Sequence, residues 1–337
     1  MPSSIAERVS SDLPGFADIE TAAARLAGKA VVTPLLEYPE LNERLGGRVL
    51  LKPEILQRTG SFKFRGAYNR IAQIPAEQRG RGVLAYSSGN HAQGVAAAAK
   101  LLGLPATIVM PADAPAIKVS NTKAYGATVV FYDRYSEDRE AIAEALIAKT
   151  GATLVRPYDD PAIIAGQGTC GLELMRQARA LDALPDTVLV CCGGGGLTAG
   201  TALAVKTLSP AAEVYAVEPE DFDDTARSLA SGSRQANRPE ARSICDALLS
   251  PTPGELTFQL NRRLLAGAVG VSDAEVERAM AFAFNRLKLV VEPGGAVSLA
   301  AALAGKIETA GRTTALVLSG GNVDGATMQA ALDRNPC

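Results

Sequence analysis

Short apolar runs alternate with longer stretches rich in alanine and leucine along most of this sequence. GVLAYSS, ATIVMP and TVVFYD are each followed by a stretch with helical spacing, and TVLVCC, EVYAVEP and TTALVLS belong to a second series. This order predicts βα units around parallel sheets. TVLVCC and TALVLS are apolar without alternation, which is typical of strands covered by helices on both faces. We therefore expect an α/β fold with two sheets and a cleft between them.

The stretch 221–254 departs from this pattern. It is polar and has little periodicity, whereas the rest of the chain contains no internal repeat or low-complexity tract. We expect short helices and loops at the surface there.

The composition is that of an ordinary globular protein. The chain has 337 residues, of which 47% are apolar and 21% are charged, and its formal net charge is −2. This length predicts one large or two intermediate domains, and the charge balance indicates neither a nucleic acid nor a membrane partner. No apolar run approaches the roughly 20 residues of a membrane span, and the first residues lack the pattern of a secretion signal. A cytoplasmic protein is expected.

The numbers of cysteines and histidines limit the kinds of disulfide and metal site that the chain can form. The five cysteines are odd in number and contain no C-x-x-C pair, which predicts reduced thiols and neither a disulfide framework nor a thiolate zinc site. His91 is the single histidine. A metal site with several histidines of one chain is therefore excluded.

The first candidate for chemistry is Lys63, within TGSFKFRG at 59–66. It follows a small, flexible turn and opens an alanine-containing helical stretch. A lysine that such a turn holds in a closed site loses its water, so its pKa falls and the neutral amine can form a Schiff base. The alternative is a hydrated surface lysine beside glycines.

A second candidate is SSGNHAQ at 87–93, where the strand VLAYS gives way to a helix. Backbone N–H groups at the start of a helix, together with small hydroxyls, form an anion site that a carboxylate could occupy. The alternative is a simple N-cap turn with His91 in the first turn of the helix.

The third candidate is CGGGGLT at 192–198, again between a strand and a helix. Four residues without a Cβ allow several N–H groups to converge on a phosphate. The same turn also fits a dinucleotide-binding unit, because Gly194, Gly196 and Ala199 satisfy G-x-G-x-x-A and Glu218 ends the next strand. Spacing alone leaves both interpretations open.

The fourth candidate is SGGN at 319–322, directly after the last strand. A hydroxyl at Ser319 would emerge at the carboxyl end of the sheet and could bond a ring nitrogen. The alternative is a plain turn.

Taken together and in this order, GSFKFRGA, SSGNHAQG, CGGGGL and SGGN resemble the fold type II pyridoxal-phosphate enzymes, which share the architecture of the tryptophan synthase β-subunit. The resemblance spans about residues 33–322 and is to threonine and serine dehydratases, serine racemases and hydroxyaspartate dehydratases. It implies two α/β domains with mostly parallel sheets and the cofactor in the cleft. The large domain would comprise 1–82 and 158–337, and a smaller, mobile domain at 83–157 would close over the substrate.

The resemblance also implies the contacts of the cofactor, pyridoxal 5′-phosphate. Lys63 would form the Schiff base, and Phe62 would lie against the cofactor ring. Asn90 would contact the ring hydroxyl, and Ser319 the pyridine nitrogen. The phosphate would be cradled by the backbone N–H groups of Gly193, Gly194, Gly195, Gly196 and Leu197.

For the substrate, it implies a carboxylate site and two groups that move protons. The carboxylate would be bound by Ser87, Ser88, Asn90 and His91. Neutral Lys63 would remove the Cα proton as general base. Ser88 resembles the serine of the racemase and hydroxyaspartate dehydratase branch, which acts as acid or base on the opposite face of the substrate.

Two further positions of this chain can be compared with the racemase and hydroxyaspartate dehydratase branch. Arg139 matches a substrate-gating or domain-closing arginine and could bind a second carboxylate, although an arginine on a helix after two acids is more typical of a surface ion pair. Cys245-Asp-Ala247 stands where the family commonly has Ala-Asp-Gly, which could reshape the pocket wall.

The branch also resembles this chain around EPEDFDD at 218–224. There Glu218, Asp224 and the carbonyl of Phe222 would bind a divalent cation. Oxygen ligands suit Mg²⁺, Mn²⁺ or Ca²⁺. Without the resemblance, an acidic turn is most simply a hydrated loop.

The resemblance thus implies an ammonia-lyase that acts on L-serine, L-threonine or a 3-hydroxyaspartate and works as a homodimer. Racemisation of serine or aspartate is the nearest alternative. A nucleotide-dependent oxidoreductase, based on the G-x-G-x-x-A match, and a non-catalytic pyridoxal-phosphate carrier remain as functions of other classes.

Overall fold

Two parallel sheets organise the chain. The computed structural model describes residues 13–87, 89–114, 116–133 and 136–336. In these residues a six-stranded sheet has the order β1-β2-β10-β7-β8-β9, and a four-stranded sheet has the order β5-β4-β3-β6. All neighbouring strands are parallel except β1, which is antiparallel to β2. The strands are β1 Leu36–Glu37, β2 Arg48–Pro53, β3 Val83–Tyr86, β4 Ala106–Pro111, β5 Thr128–Tyr132, β6 Thr153–Leu154, β7 Thr187–Cys191, β8 Glu213–Pro219, β9 Gly267–Val271 and β10 Thr313–Leu318.

Helices cover both faces of each sheet. They are α1 Phe16–Leu26, α2 Pro39–Leu45, α3 Lys63–Ala72, α4 Ala76–Arg79, α5 Asn90–Leu102, α6 Ala116–Ala124, α7 Arg139–Thr150, α8 Pro161–Ala180, α9 Gly196–Leu208, α10 Asp224–Ser231, α11 Glu255–Leu264, α12 Asp273–Phe282, α13 Pro293–Leu303 and α14 Gly325–Arg334. Short 3₁₀ turns lie at Glu54–Leu56, Arg58–Gly60, Glu220–Phe222 and Asp246–Leu248, and a π-helical turn lies at Ala283–Leu287.

The apolar cores follow these layers. One face of the six-stranded sheet packs on α12, α13 and α14, and the other face packs on α8 and α9. The four-stranded sheet packs on α5 and α3 on one side and on α7 on the other. Helix α3 and Ile163 of α8 thus contribute to the core of a sheet whose strands all lie within 83–154.

The two-sheet α/β fold expected from the sequence is confirmed. Every strand named from the apolar pattern is present, and β7 is buried at all five positions, as expected for a strand with helices on both faces. The pattern did not identify β2 or β9, whose residues pair with predicted strands at β10 and β8. The domain bounds, the homodimer and the cytoplasmic location stay predictions.

The stretch 221–254 is only partly as expected. It does contain short helices and loops, but the expectation of a surface location is wrong for Asp224, Ser228 and Cys245, which are buried. Their side chains are covered because this polar stretch folds back against β8 and α13.

The cysteines and the lengths of the helices can be compared with the expectations from composition. Cys170, Cys191, Cys192 and Cys245 are buried and free of disulfide bonds. In the described ranges, no helix is both long and apolar enough to cross a membrane.

A buried ion cluster fixes the start of helix α3. The Arg65 guanidinium donates to both carboxylate oxygens of Glu54, with Nε to Oε2 at 2.7 Å, and to both of Glu173 at 2.8 Å. Lys52 Nζ lies 2.9 Å from Glu173. Burial by itself would raise the pKa of Glu54, but the Arg65 charge outweighs it and holds this pKa below its usual value. Two cations and two anions therefore balance in the interior.

We expect Glu54→Gln to lower the free energy of unfolding by about 3 kcal/mol, since it leaves the buried Arg65 charge with only one of its two carboxylate partners. The matched control is Glu37→Gln, which breaks the exposed pair with Arg48 and should cost at most about 1 kcal/mol. Denaturant unfolding of both variants provides the comparison. Equal losses would contradict a structural role for the cluster.

Candidate active site

Lys63 lies at the bottom of a cleft between the two sheets, as the first residue of α3. Its Nζ atom donates to the carbonyl oxygen of Pro157 at 2.8 Å and lies 5.0 Å from the centroid of the Phe62 ring. Burial lowers the pKa of the amine to about 8, and the negative charge of Glu292 opposes this shift only in part. Lys63 therefore has a substantial neutral, nucleophilic fraction near neutral pH.

The glycine-rich turn forms one wall of the cleft. It joins β7 to α9, and Gly193, Gly194, Gly195, Gly196 and Leu197 all line the cleft. Gly195 has a φ of +91°, which other residues adopt only with strain. A Cβ at Gly194 would lie 2.3 Å from the Tyr158 ring, so only glycine allows the two to pack. The turn thus directs the N-terminus of α9, with its unpaired N–H groups, into the cleft.

The 87–93 turn provides the opposite wall, and helix α5 begins at Asn90. Ser87, Asn90 and His91 line the cleft. His91 Nε2 lies 2.8 Å from the Val155 carbonyl oxygen, and since that carbonyl can only accept, Nε2 carries the proton. Burial lowers the pKa of His91 to about 3, so the imidazole is neutral. Towards an anion, His91 therefore offers its backbone N–H and not a charged ring.

Asn90 is held by two side chains. Its Nδ2 donates to Glu292 Oε1 at 2.5 Å, and its Oδ1 accepts from Asn322 Nδ2 at 2.7 Å. These bonds fix the amide orientation. Ser319, which follows β10, also lines the cleft, and its carbonyl accepts from the N–H of Phe62 at 3.1 Å.

Sequence reasoning missed several residues that line the cleft, among them Arg156, Tyr158, Gln167 and Glu292. Burial raises the pKa of Glu292 to about 7, with Asp246 adding to the effect. Glu292 caps α13 immediately before a proline, which is a helix-start signal that the sequence does contain. Arg156 and Tyr158 follow the two-residue strand β6, which no pattern revealed.

Arg139 is exposed and lines the cleft, at the first position of α7. Its guanidinium carbon lies 5.3 Å from the centroid of the Tyr86 ring, within the range of a cation–π contact.

An ion pair between Lys118 of α6 and Asp246 crosses the cleft. Asp246 and Ala247, where the sequence departs from the family pattern, both line the wall.

The acidic turn lies away from the cleft. Glu218 is buried at the end of β8, and its two oxygens accept from the N–H groups of Thr225 and Ala226 at 3.0 Å. Asp224 is also buried, and its Oδ2 has no hydrogen-bond partner. Burial raises the pKa of Glu218 to about 8, with the Asp224 charge adding to it, and burial raises the pKa of Asp224 to about 6. The described residues contain no group of three or more histidine, cysteine or acidic side chains placed for a metal.

Phe222 is buried in the 3₁₀ turn between these two acids. Ser88, expected to bind the carboxylate and to move a proton, lies outside the described residues. The other predicted cofactor and substrate residues all line one cleft.

Comparisons with known proteins agree with this geometry. The model of the family described as pyridoxal-phosphate dependent enzyme matches residues 27–320. An L-threo-3-hydroxyaspartate ammonia-lyase of Saccharomyces cerevisiae is 45% identical over 313 residues, covering 93% of this chain and 94% of that protein. A serine racemase of Schizosaccharomyces pombe is 42% identical, covering 93% and 95%. The crystal structure of a T.th. threonine deaminase is 46% identical with a TM-score of 0.87, covering 92% and 99%.

This chain belongs to the pyridoxal-phosphate-dependent enzyme family. The match decides against the dinucleotide-binding alternative, and the geometry agrees, because the Glu218 carboxylate is bound to the start of α10 and does not face the glycine-rich turn. The residues fit pyridoxal phosphate: a desolvated amine lies above the Phe62 ring, next to a turn that tolerates no Cβ. The buried Oε1 of Gln167, which lines the same cleft, has no partner within the protein.

We expect the apoprotein to react with added pyridoxal phosphate at a rate that rises with pH to a plateau, with a midpoint near 8. Only the neutral amine of Lys63 forms the bond, and its pKa is lowered from 10.5 to about 8. Visible absorbance after mixing, recorded across pH values that bracket both numbers, provides the measurement. A midpoint near 10.5 would show that the amine is hydrated.

Proposed function

We propose that this chain is a pyridoxal-phosphate-dependent ammonia-lyase that eliminates water from L-serine, L-threonine or a 3-hydroxyaspartate. The products are a 2-oxo acid and ammonia. The observation that carries the proposal is that the desolvated Lys63 amine and the N-terminus of α5 line the same cleft. The names of the relatives support the same reaction class.

Lys63 acts as the base on Cα. Bound pyridoxal phosphate supplies an electron sink for the carbon that loses its proton. The amine is neutral enough to accept that proton because its pKa is near 8. The carbonyl of Pro157, 2.8 Å from Nζ, restricts the position of the amine.

The start of α5 binds the substrate carboxylate. The N–H groups of its first turn have no partner within the helix, and the helix dipole favours an anion there. Asn90 and His91 supply such N–H groups, and Ser87 lies beside them. Since the His91 imidazole is neutral, the carboxylate is held by oriented hydrogen bonds and not by a buried ion pair.

Ser319 is the proposed partner of the pyridine nitrogen. A hydroxyl leaves such a nitrogen largely unprotonated, whereas a carboxylate partner would protonate it. The weaker electron sink disfavours transamination and suits elimination.

A racemase of serine or aspartate is the second candidate, supported by the similarity to the Schizosaccharomyces pombe serine racemase. Racemisation needs a proton donor on the face opposite Lys63. Ser88 is proposed for that role from the sequence resemblance.

We also propose that Glu218, Asp224 and the carbonyl of Phe222 bind Mg²⁺, Mn²⁺ or Ca²⁺. Two buried carboxylates with raised pKa values and an unpartnered oxygen on Asp224 support this proposal, because a hard cation would compensate both charges. The ion would hold the 221–254 stretch against β8.

We expect Lys63→Ala to lose both the visible absorbance that borohydride abolishes and all release of ammonia. The matched control, Lys149→Ala, removes an exposed lysine at the end of α7 and should retain both. Wild type is assayed with serine, threonine and threo-3-hydroxyaspartate for 2-oxo acid and for the opposite enantiomer. If the wild type shows cofactor absorbance but releases no ammonia, the chain is a racemase or a non-catalytic carrier. Formation of the opposite enantiomer, measured by chiral analysis, distinguishes these two functions.

We expect excess chelator to lower the melting temperature and added Mg²⁺ to restore it, because a ligand bound only by the folded state stabilises that state. Asp224→Asn should remove this dependence. Asp221→Asn, in the same acidic turn but exposed, should preserve it. Identical melting curves of the wild type with chelator and with Mg²⁺ would contradict the cation site.

A further inference from the structure

Two arginines line the cleft beside Tyr86. Arg139 stacks on the Tyr86 ring at 5.3 Å. Burial and the charge of Glu140 raise the pKa of Tyr86, and the charges of Arg156 and Arg139 act against that shift. Tyr86, Arg139 and Arg156 all line the cleft.

The backbone on either side of Arg156 is tied to the active site. The Val155 carbonyl accepts from His91 Nε2 at 2.8 Å, and the Pro157 carbonyl accepts from Lys63 Nζ at 2.8 Å. Arg156 therefore stands between two residues that contact the carboxylate-binding turn and the reactive amine. These bonds fix the backbone on either side of Arg156, whose side chain is exposed and lines the cleft.

The two arginines differ from the other cations of the cleft in their partners. Of the other cations that line the cleft, Lys63 is the reactive amine and Lys118 is paired with Asp246. Across the described ranges, neither Arg139 nor Arg156 forms an ion pair. Glu140, which also lines the cleft, and Glu144 place negative charge near Tyr86.

We propose that Arg156, together with Arg139, binds the second carboxylate of a dicarboxylic substrate, so that Arg156 determines specificity for 3-hydroxyaspartate. The inference rests on the proposed ammonia-lyase function. The α-carboxylate already has the N–H groups at the start of α5, so the guanidinium groups are available for another anion. Guanidinium matches carboxylate geometry with two parallel hydrogen bonds. Serine and threonine have no second carboxylate that could accept these hydrogen bonds.

The test compares substrates that differ in the second carboxylate. In Arg156→Gln, kcat/KM for threo-3-hydroxyaspartate relative to L-serine should fall about 10- to 100-fold, the usual worth of a charged hydrogen bond. The change should lie mainly in KM. Arg156→Lys, which keeps the charge, should recover part of the ratio, and Arg263→Gln, at an exposed position on α11, should leave it unchanged.

Binding without turnover provides a second readout. L-Aspartate and L-alanine have no β-hydroxyl to eliminate and differ in the second carboxylate, so titration of the cofactor absorbance gives their Kd values. Arg156→Gln should weaken aspartate about 10-fold or more relative to alanine.

An equal loss for serine and hydroxyaspartate, or for alanine and aspartate, would overturn the inference and make Arg156 a structural residue. A wild type that acts on serine or threonine but not on hydroxyaspartate would overturn it too, while the ammonia-lyase proposal stands. A wild type that binds the cofactor but releases ammonia from none of the three substrates would instead refute the proposed function.

Discussion

The geometry of the cleft depends on the buried ion cluster around Arg65. A guanidinium with no exposure to water is tolerable only where carboxylates surround it, so Glu54 and Glu173 leave α3 a single position relative to β2 and α8. Lys63 precedes Arg65 by two residues on the same helix. The reactive amine is therefore positioned by charges that lie behind it in the protein interior.

Removal of water sets the protonation state of the groups that face the cleft. Burial lowers the pKa of Lys63 to about 8 and that of His91 to about 3, while it raises the pKa of Glu292 to about 7. Each shift favours the neutral form, as expected where charges lose their hydration. The cleft thus provides an amine that is easily deprotonated and neutral hydrogen-bond donors, whereas the arginines near Tyr86 keep their charge.

Residues from both sheets build this cleft. The turns after β7 and β10 provide the proposed phosphate cradle and Ser319, while the turns after β3 and β6 provide the proposed carboxylate site and Arg156. The ion pair between Lys118 and Asp246 joins the two sides. Relatives with different substrates share this scaffold, so differences in specificity are expected in the few side chains that face the substrate and not in the fold.

The sequence by itself determined the alternation of strands and helices and the four turns that meet at the cleft and to which we assign the cofactor chemistry. Both are local: buried strands need continuous apolar runs, and a phosphate turn needs residues without a Cβ. Strands β2 and β9 were not predicted because neither carries a distinguishing local pattern. They are defined by their pairing with β10 and β8. The tertiary structure alone decided the partners of Arg65, the neutral state of His91, the burial of Asp224, and the presence of Arg139 and Arg156 in one cleft. These depend on contacts between residues far apart in the chain, and on how much water such contacts exclude.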